Sequence, residues 1–224
     1  MKHFVLEGEH LAPFAEFAHL EPSHHAFLRH GYDTGAFLFS GPQIPAHGGF
    51  LVARAPTHAQ LTDFLADEPF VKAGKMRFSR IIEFDPVQHQ SLLGSWFSGT
   101  PGPIAPGPTG APAAGAEGGN VELQHFMLEG EHLVPFEERA PELVAAHRAF
   151  LQRGYDNGAF LFSGPTIPPH GGVLVARARS LADLDALLAD EPYTGENVMR
   201  FSARTRFNPL QYQGALQGWF GNTP

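Results

Sequence analysis

The chain repeats itself. His3-Phe4-Val5-Leu6-Glu7-Gly8-Glu9-His10-Leu11 returns as His125-Phe126-Met127-Leu128-Glu129-Gly130-Glu131-His132-Leu133. Gly31-Tyr32-Asp33 through Ser40-Gly41-Pro42 returns as Gly154-Tyr155-Asp156 through Ser163-Gly164-Pro165. Leu65-Ala66-Asp67-Glu68-Pro69 returns as Leu188-Ala189-Asp190-Glu191-Pro192. From His24 and His147 onward the copies run in register without a gap, and one residue is inserted before that, near Pro141. A period of roughly a hundred residues is too long for a solenoid unit and is the size of a small domain. The repeat therefore predicts a tandem duplication, with copy one over 1–98 and copy two over 121–224.

Between the copies, 99–120 is rich in Pro, Gly and Ala, carries Glu117 as its only charge, and has no apolar periodicity. It reads as a linker. Extended, such a segment reaches on the order of 60 Å. A hundred-residue domain has a radius of gyration of about 13 Å, so the copies can pack against each other in either orientation.

Hydrophobic residues make up 43 % of the chain, which excludes a mostly disordered protein. The net charge of -8 disfavours a phosphate backbone as partner, so no nucleic-acid role is expected. The absence of cysteine excludes a disulfide scaffold, a thiolate zinc site, an iron–sulfur centre and a cysteine nucleophile. The apolar stretch after Met1 is closed by Glu7, too short for a signal-peptide core, and no segment is long enough to span a bilayer. A cytoplasmic protein without a membrane partner is the expectation.

Within copy one, Phe4–Gly8 reads as a strand. Pro22-Ser23-His24 opens a helix that places Leu20, His24, Phe27, Leu28 and Gly31 on one face; copy two places Leu143, His147, Phe150, Leu151 and Gly154 there. Ala36–Ser40 reads as a second strand, Gly41-Pro42 through Gly48-Gly49 as a hairpin loop, and Phe50–Ala55 as a third strand. Thr57 and Gln60, like Ser180 and Asp183, have capping-box spacing before a second helix that Pro69 is expected to stop. Met76, Phe78, Arg80, Ile82 and Phe84 alternate with Arg77, Ser79, Ile81 and Glu83 as a fourth strand. Leu92, Leu93, Trp96 and Phe97 read as an apolar tail on the domain surface.

The order β-α-β-β-α-β is the ferredoxin-like split βαβ arrangement, an α+β class. Two helices cover only one face of a four-stranded antiparallel sheet. The second copy can cover the other, so the chain is expected to form an intramolecular pseudo-dimer, with a further homo-oligomer left open.

These residues resemble the YciI-like (YCII-related) family of the dimeric α+β barrel superfamily. The carriers are His24 before Phe27-Leu28, Ser40-Gly41-Pro42, Gly48-Gly49, and Asp67-Glu68-Pro69-Phe70-Val71-Lys72-Ala73-Gly74. Copy two has His147, Ser163-Gly164-Pro165, Gly171-Gly172 and Asp190-Glu191-Pro192-Tyr193. The resemblance implies small cofactor-free proteins with a His and an Asp as the active pair, a few of them acting on small ring compounds. By position the pair falls on His24 with Glu68 and on His147 with Glu191, the family's Asp being lengthened by one methylene. Copy two departs further, with Thr194-Gly195-Glu196-Asn197 in place of Val71-Lys72-Ala73-Gly74. Copy two is therefore the one expected to have drifted.

A His on an inward helix face with a carboxylate partner can be a general base. It can equally be a core His bonded to a backbone carbonyl. Glu68 and Glu191, read as lying at a helix C-terminus, are placed unfavourably for the helix dipole. Function or solvent exposure would account for that. Glu7, Glu9 and His10, with Glu129, Glu131 and His132, form a second constellation of metal-ligand types, but strand geometry sends His10 to the opposite face from the two acids. The alternative is a polar strand end, and no metal site is assigned. His47 and His170 lie in the Pro-rich loop and are expected to be solvated, as are His25, His30, His58 and His89. Ser40 and Ser163 read as strand-end hydrogen-bonding groups. No phosphate loop, dinucleotide fingerprint or Gly-x-Ser-x-Gly elbow is present, so no organic cofactor is expected. Two readings remain: a cofactor-independent isomerase, lyase or dehydrochlorinase acting on a small ring compound, or a non-catalytic small-ligand-binding or interaction module.

Overall fold

The computed structural model describes residues 1–105 and 123–221. Most of the 99–120 linker lies outside the described residues. Copy one runs β1 (Lys2–His10), α1 (Glu21–Asp33), β2 (Phe37–Ile44), β3 (Gly48–Ala55), α2 (His58–Leu65), α3 (Pro69–Lys72), β4 (Met76–Phe84), β5 (Gln88–His89) and α4 (Gly94–Phe97). Copy two runs β6 (Gln124–His132), α5 (Pro141–Asp156), β7 (Phe160–Ile167), β8 (Gly171–Ala178), α6 (Leu181–Leu188), α7 (Pro192–Gly195), β9 (Met199–Phe207), β10 (Gln211–Tyr212) and α8 (Gln217–Phe220).

Each copy is an antiparallel sheet in the order β2-β3-β1-β4, or β7-β8-β6-β9. β4 pairs with β7 and β2 with β9, so the two sheets join at both edges and close a barrel. This is the dimeric α+β barrel, made here within one chain. The faces left bare by the helices meet inside it. Phe39 stacks on Phe207 at 5.3 Å, and Phe84 on Phe162 at 5.2 Å, each pair crossing between copies. Closure removes the exposed strand edges that an isolated sheet would present.

Outside the barrel, α1 and α2 cover Phe4, Leu6, Phe37 and Leu51, while α5 and α6 cover Phe126, Leu128, Phe160 and Leu174. Thr57 and Ser180 cap α2 and α6 as their spacing predicts, accepting from Gln60 N and Asp183 N.

Four details differ from the sequence reading. First, β2 does not stop at Ser40 but continues through Gly41-Pro42 to Ile44, leaving only 45–47 as the turn. Pro42 is tolerated because it sits on a strand whose outer edge meets the other copy. There its carbonyl accepts from Asn208 N at 2.9 Å.

Second, Ser79 is an extra residue opposite Glu7 and Gly8, so β4 bulges and its alternation changes phase. Met76, Phe78 and Ile81 pack among the helix-side clusters, whereas Ile82 and Phe84 pack inside the barrel.

Third, the apolar tail is not on the surface. Leu93, Trp96 and Phe97 are buried in the shared core, and β5 pairs with β7 of the other copy. His89, expected to be solvated, is half-buried in that segment against Phe97.

Fourth, Pro69 does not stop α2, which ends at Leu65. Pro69 begins α3, where its missing N–H costs nothing. The preceding residue, Glu68, is therefore an N-cap rather than a C-terminal acid, and the dipole favours its charge.

Candidate active site

The His and Glu of each pair lie 44 residues apart and meet where the long helix crosses the short one. In copy one, His24 Nδ1 is 2.7 Å from Glu68 Oε1, and Glu68 Oε2 accepts from Val71 N at 2.8 Å. In copy two, His147 Nδ1 is 2.6 Å from Glu191 Oε1, and the same carboxylate accepts from Tyr193 N and Thr194 N at 3.0 and 2.8 Å. Both carboxylates are 1 % exposed, which removes solvent exposure as the reason for their position. The altered 194–197 segment of copy two keeps this geometry, since it builds the same short capped helix.

Each imidazole lies flat on the aromatic residue that follows Pro69 or Pro192. His24 stacks on Phe70 at 4.3 Å, and His147 on Tyr193 at 3.9 Å. A carboxylate on Nδ1 and a ring against one face fix the imidazole in two directions. With the carboxylate accepting at Nδ1, the proton belongs on that nitrogen and Nε2 keeps its lone pair. Among the described residues no hydrogen-bond partner holds Nε2 of His147.

The copies differ in what surrounds the pair. In copy two a cavity of about 850 Å³ lies between α5, α7 and the outer face of the sheet. His132, Arg139, His147 and Ser163 line it, with Met199 and Phe201 as apolar wall and Gln88 contributed by copy one. In copy one the matching region is a packed aromatic cluster. Phe17, wholly buried, contacts Phe14, Phe70 and His10 at 5.2, 4.9 and 5.2 Å. Arg139 stands in its place: the guanidinium lies 5.4 Å from the Phe136 ring and 4.9 Å from Tyr193, beside His132. Both imidazoles keep 20 % side-chain exposure, so the contrast is in the space and charge around the ring. The altered 194–197 segment of copy two thus leaves the His147–Glu191 bond in place, with a cavity beside it.

The second constellation does not gather. Glu7 accepts from Gln43, Glu9 from Arg77 and Glu131 from Arg200, each at 2.8 Å, and Arg80 pairs with Glu129. His10 and His132 turn instead toward Phe17 and the cavity. Among the described residues no group of three metal-ligating side chains forms. His47 and His170 are exposed, and their carbonyls accept from His10 N and His132 N. Ser40 and Ser163 accept from the buried Tyr32 and Tyr155 hydroxyls at 2.7 Å. Burial pushes both phenols well above the usual tyrosine range.

Three features escaped the sequence reading. Arg139 was visible only by aligning the segments before the long helices, where it matches Phe17. The stack on Phe70 and Tyr193 needed the tertiary crossing of two helices. His3 and His125 are buried under Trp96 and Trp219, with each Nε2 lacking a hydrogen-bond partner among the described residues.

The YCII-related domain matches the chain twice, over residues 1–85 and 125–205. The chain belongs to the YCII-related family. No curated protein matches it. Among solved structures it is similar to a protein provisionally assigned as a chlorite dismutase, at 10 % identity, TM-score 0.57, and 98 % and 100 % of the two chains covered. A protein provisionally assigned as a monooxygenase from Fusobacterium nucleatum gives 7 % identity, TM-score 0.57 and coverage of 95 % and 94 %. A heme-binding protein from Thermus thermophilus gives 14 % identity, TM-score 0.51 and coverage of 98 % and 95 %. At these identities the likeness is one of fold. Among the described residues of this YCII-related chain no helix is long and apolar enough to cross a membrane.

Proposed function

We propose that the chain is a cofactor-independent enzyme that moves a proton on a small ring compound bound in the copy-two cavity. The observation that carries this reading is His147: Nδ1 is fixed by Glu191 while the ring lines an 850 Å³ cavity with apolar walls. His147 Nε2 takes a proton from the substrate, and the Glu191 carboxylate stabilises the imidazolium that results. The electron pair moves into the ring. The imidazolium then returns the proton at another atom, an isomerisation, or the pair expels an anionic leaving group, an elimination such as dehydrochlorination. Neither course needs an oxidant. The His24–Glu68 pair is assigned the same chemistry by position, but with Phe17 beside it we assign it a structural role.

A second reading rests on that same pair. Copy one makes the same His–Glu bond beside the packed Phe17–Phe70 cluster, where the bond ties α1 to the cap of α3. A non-catalytic ligand-binding module would use both pairs in that way.

The test is a panel of hydroxylated and halogenated ring compounds incubated with the full chain and with His147→Gln. Turnover by the full chain that is lost in H147Q supports the enzyme reading. Binding without turnover across the panel supports the module.

A further inference from the structure

We infer that Arg139 makes the copy-two cavity a site for a ring compound bearing a negatively charged oxygen. The inference rests on the proposed function in using the same cavity, and it adds the charge class of the ligand.

Arg139 is 7 % exposed, and a buried guanidinium without an anion is costly. Among the described residues no carboxylate lies within ion-pair distance of it. Arg54 and Arg177 also lack a carboxylate, but Arg54 donates to the Gly35, Trp96, Thr100 and Gly102 carbonyls and Arg177 to those of Gly158 and Trp219. Its Nε and Nη2 share a single acceptor, the Val134 carbonyl, at 3.3 and 2.8 Å. Nη1 has no hydrogen-bond partner among the described residues. The Phe136 and Tyr193 rings flank the guanidinium and hold its plane, and it lines the cavity together with His147.

The remaining charges around the cavity do not neutralise it. Glu191 is already engaged by His147 and two backbone N–H groups, while Glu137 and Arg148 are exposed and of opposite sign. His132 is held below the usual histidine range by burial and by the neighbouring Arg139 charge, so it adds a neutral lining. The cavity therefore presents one buried guanidinium, planar and fork-shaped, on an apolar wall, while the buried Glu191 carboxylate is bound to His147. The guanidinium is the complement of a planar oxyanion attached to a ring. Copy one supplies an internal contrast, because Phe17 fills the same place and offers no charge.

The test measures binding of benzoate and its neutral isostere benzamide to the full chain by calorimetry. A second pair, 4-nitrophenolate and nitrobenzene, distinguishes a phenolate-type oxyanion from a carboxylate. The unaltered chain is expected to prefer the anion of at least one pair by about tenfold or more. Arg139→Gln keeps a donor for the Val134 carbonyl and should abolish the preference, while Arg139→Lys should keep part of it. Phe17→Leu should leave it unchanged. Equal binding of anion and neutral probe, failure of both anions to bind at millimolar concentration, or a preference that survives in R139Q overturns the inference. His147→Gln separates the two claims. If it leaves the anion preference intact while no ring compound is turned over by the unaltered chain, Arg139 keeps its role and the catalytic reading fails.

Discussion

The α-carbon of Gly164 in copy two lies against the carbonyl oxygen of Asp85 in copy one, so closely that a β-carbon there would come within 1.7 Å of it. Gly41 stands in the same relation to Asn208. These glycines sit where β7 and β2 cross the seams that close the barrel. Gly164→Ala is therefore expected to weaken the seam by about 1–3 kcal/mol through overpacking, and G41A likewise. Chemical denaturation of each variant checks it. An unchanged midpoint would mean that the copies are not held this closely.

Separately produced halves follow from the same seam. Each half would expose the face that now carries Phe39 and Phe84, or Phe162 and Phe207. Mixed halves are expected to co-elute as a one-to-one complex in size-exclusion chromatography. Two monomers without affinity for each other would count against the closed barrel.

Acid sensitivity is expected from His3 and His125. Burial, with the positive N-terminus and Arg54 beside His3 and Arg177 beside His125, pushes both imidazoles down to about 4. In the unfolded chain they titrate near 6.5. Between these values the unfolded state binds more protons, so stability rises with pH. The contribution is complete above about 6.5, is lost as pH falls toward about 4, and changes no further below that. The melting temperature should fall over this window, and less steeply in a His3→Phe, His125→Phe double variant. Equal slopes would show that other groups set the acid limit.

The repeat made the architecture legible. Two copies of βαββαβ, each with one bare sheet face, leave little choice but to face each other. The His–Glu pairing was legible by position as well. The misread parts depended on non-local contacts. Gly41-Pro42 has turn composition, yet it runs as strand because another chain segment approaches too closely for a side chain. Trp96 and Phe97 follow the last strand of their copy; Trp96 folds back onto His3, Arg54 and the Gly35 carbonyl, and Phe97 meets Phe162 of the other copy. Glu68 looked like a helix C-terminus because α2 and α3 are separated by just three residues. Arg139 falls in the one stretch where the copies are out of register, so the exchange with Phe17 had no structural meaning until both contacted the same partners.

No organic cofactor is expected to purify with the chain, because proton transfer by His147 needs none. An absorption spectrum of the purified, tag-free protein checks this. A stoichiometric flavin or Soret band would contradict it.

The most direct test of the account compares His147→Ala with His24→Ala on the first ring compound that the unaltered chain converts. H147A is expected to lose turnover by about 10²–10⁴-fold, the usual worth of a positioned base, with the fold retained. H24A is expected to keep turnover but to melt earlier, by about 1–3 kcal/mol of stability, because the buried Glu68 loses a hydrogen-bond partner. Undiminished turnover in H147A, or turnover lost in H24A and kept in H147A, would contradict the assignment of catalysis to copy two.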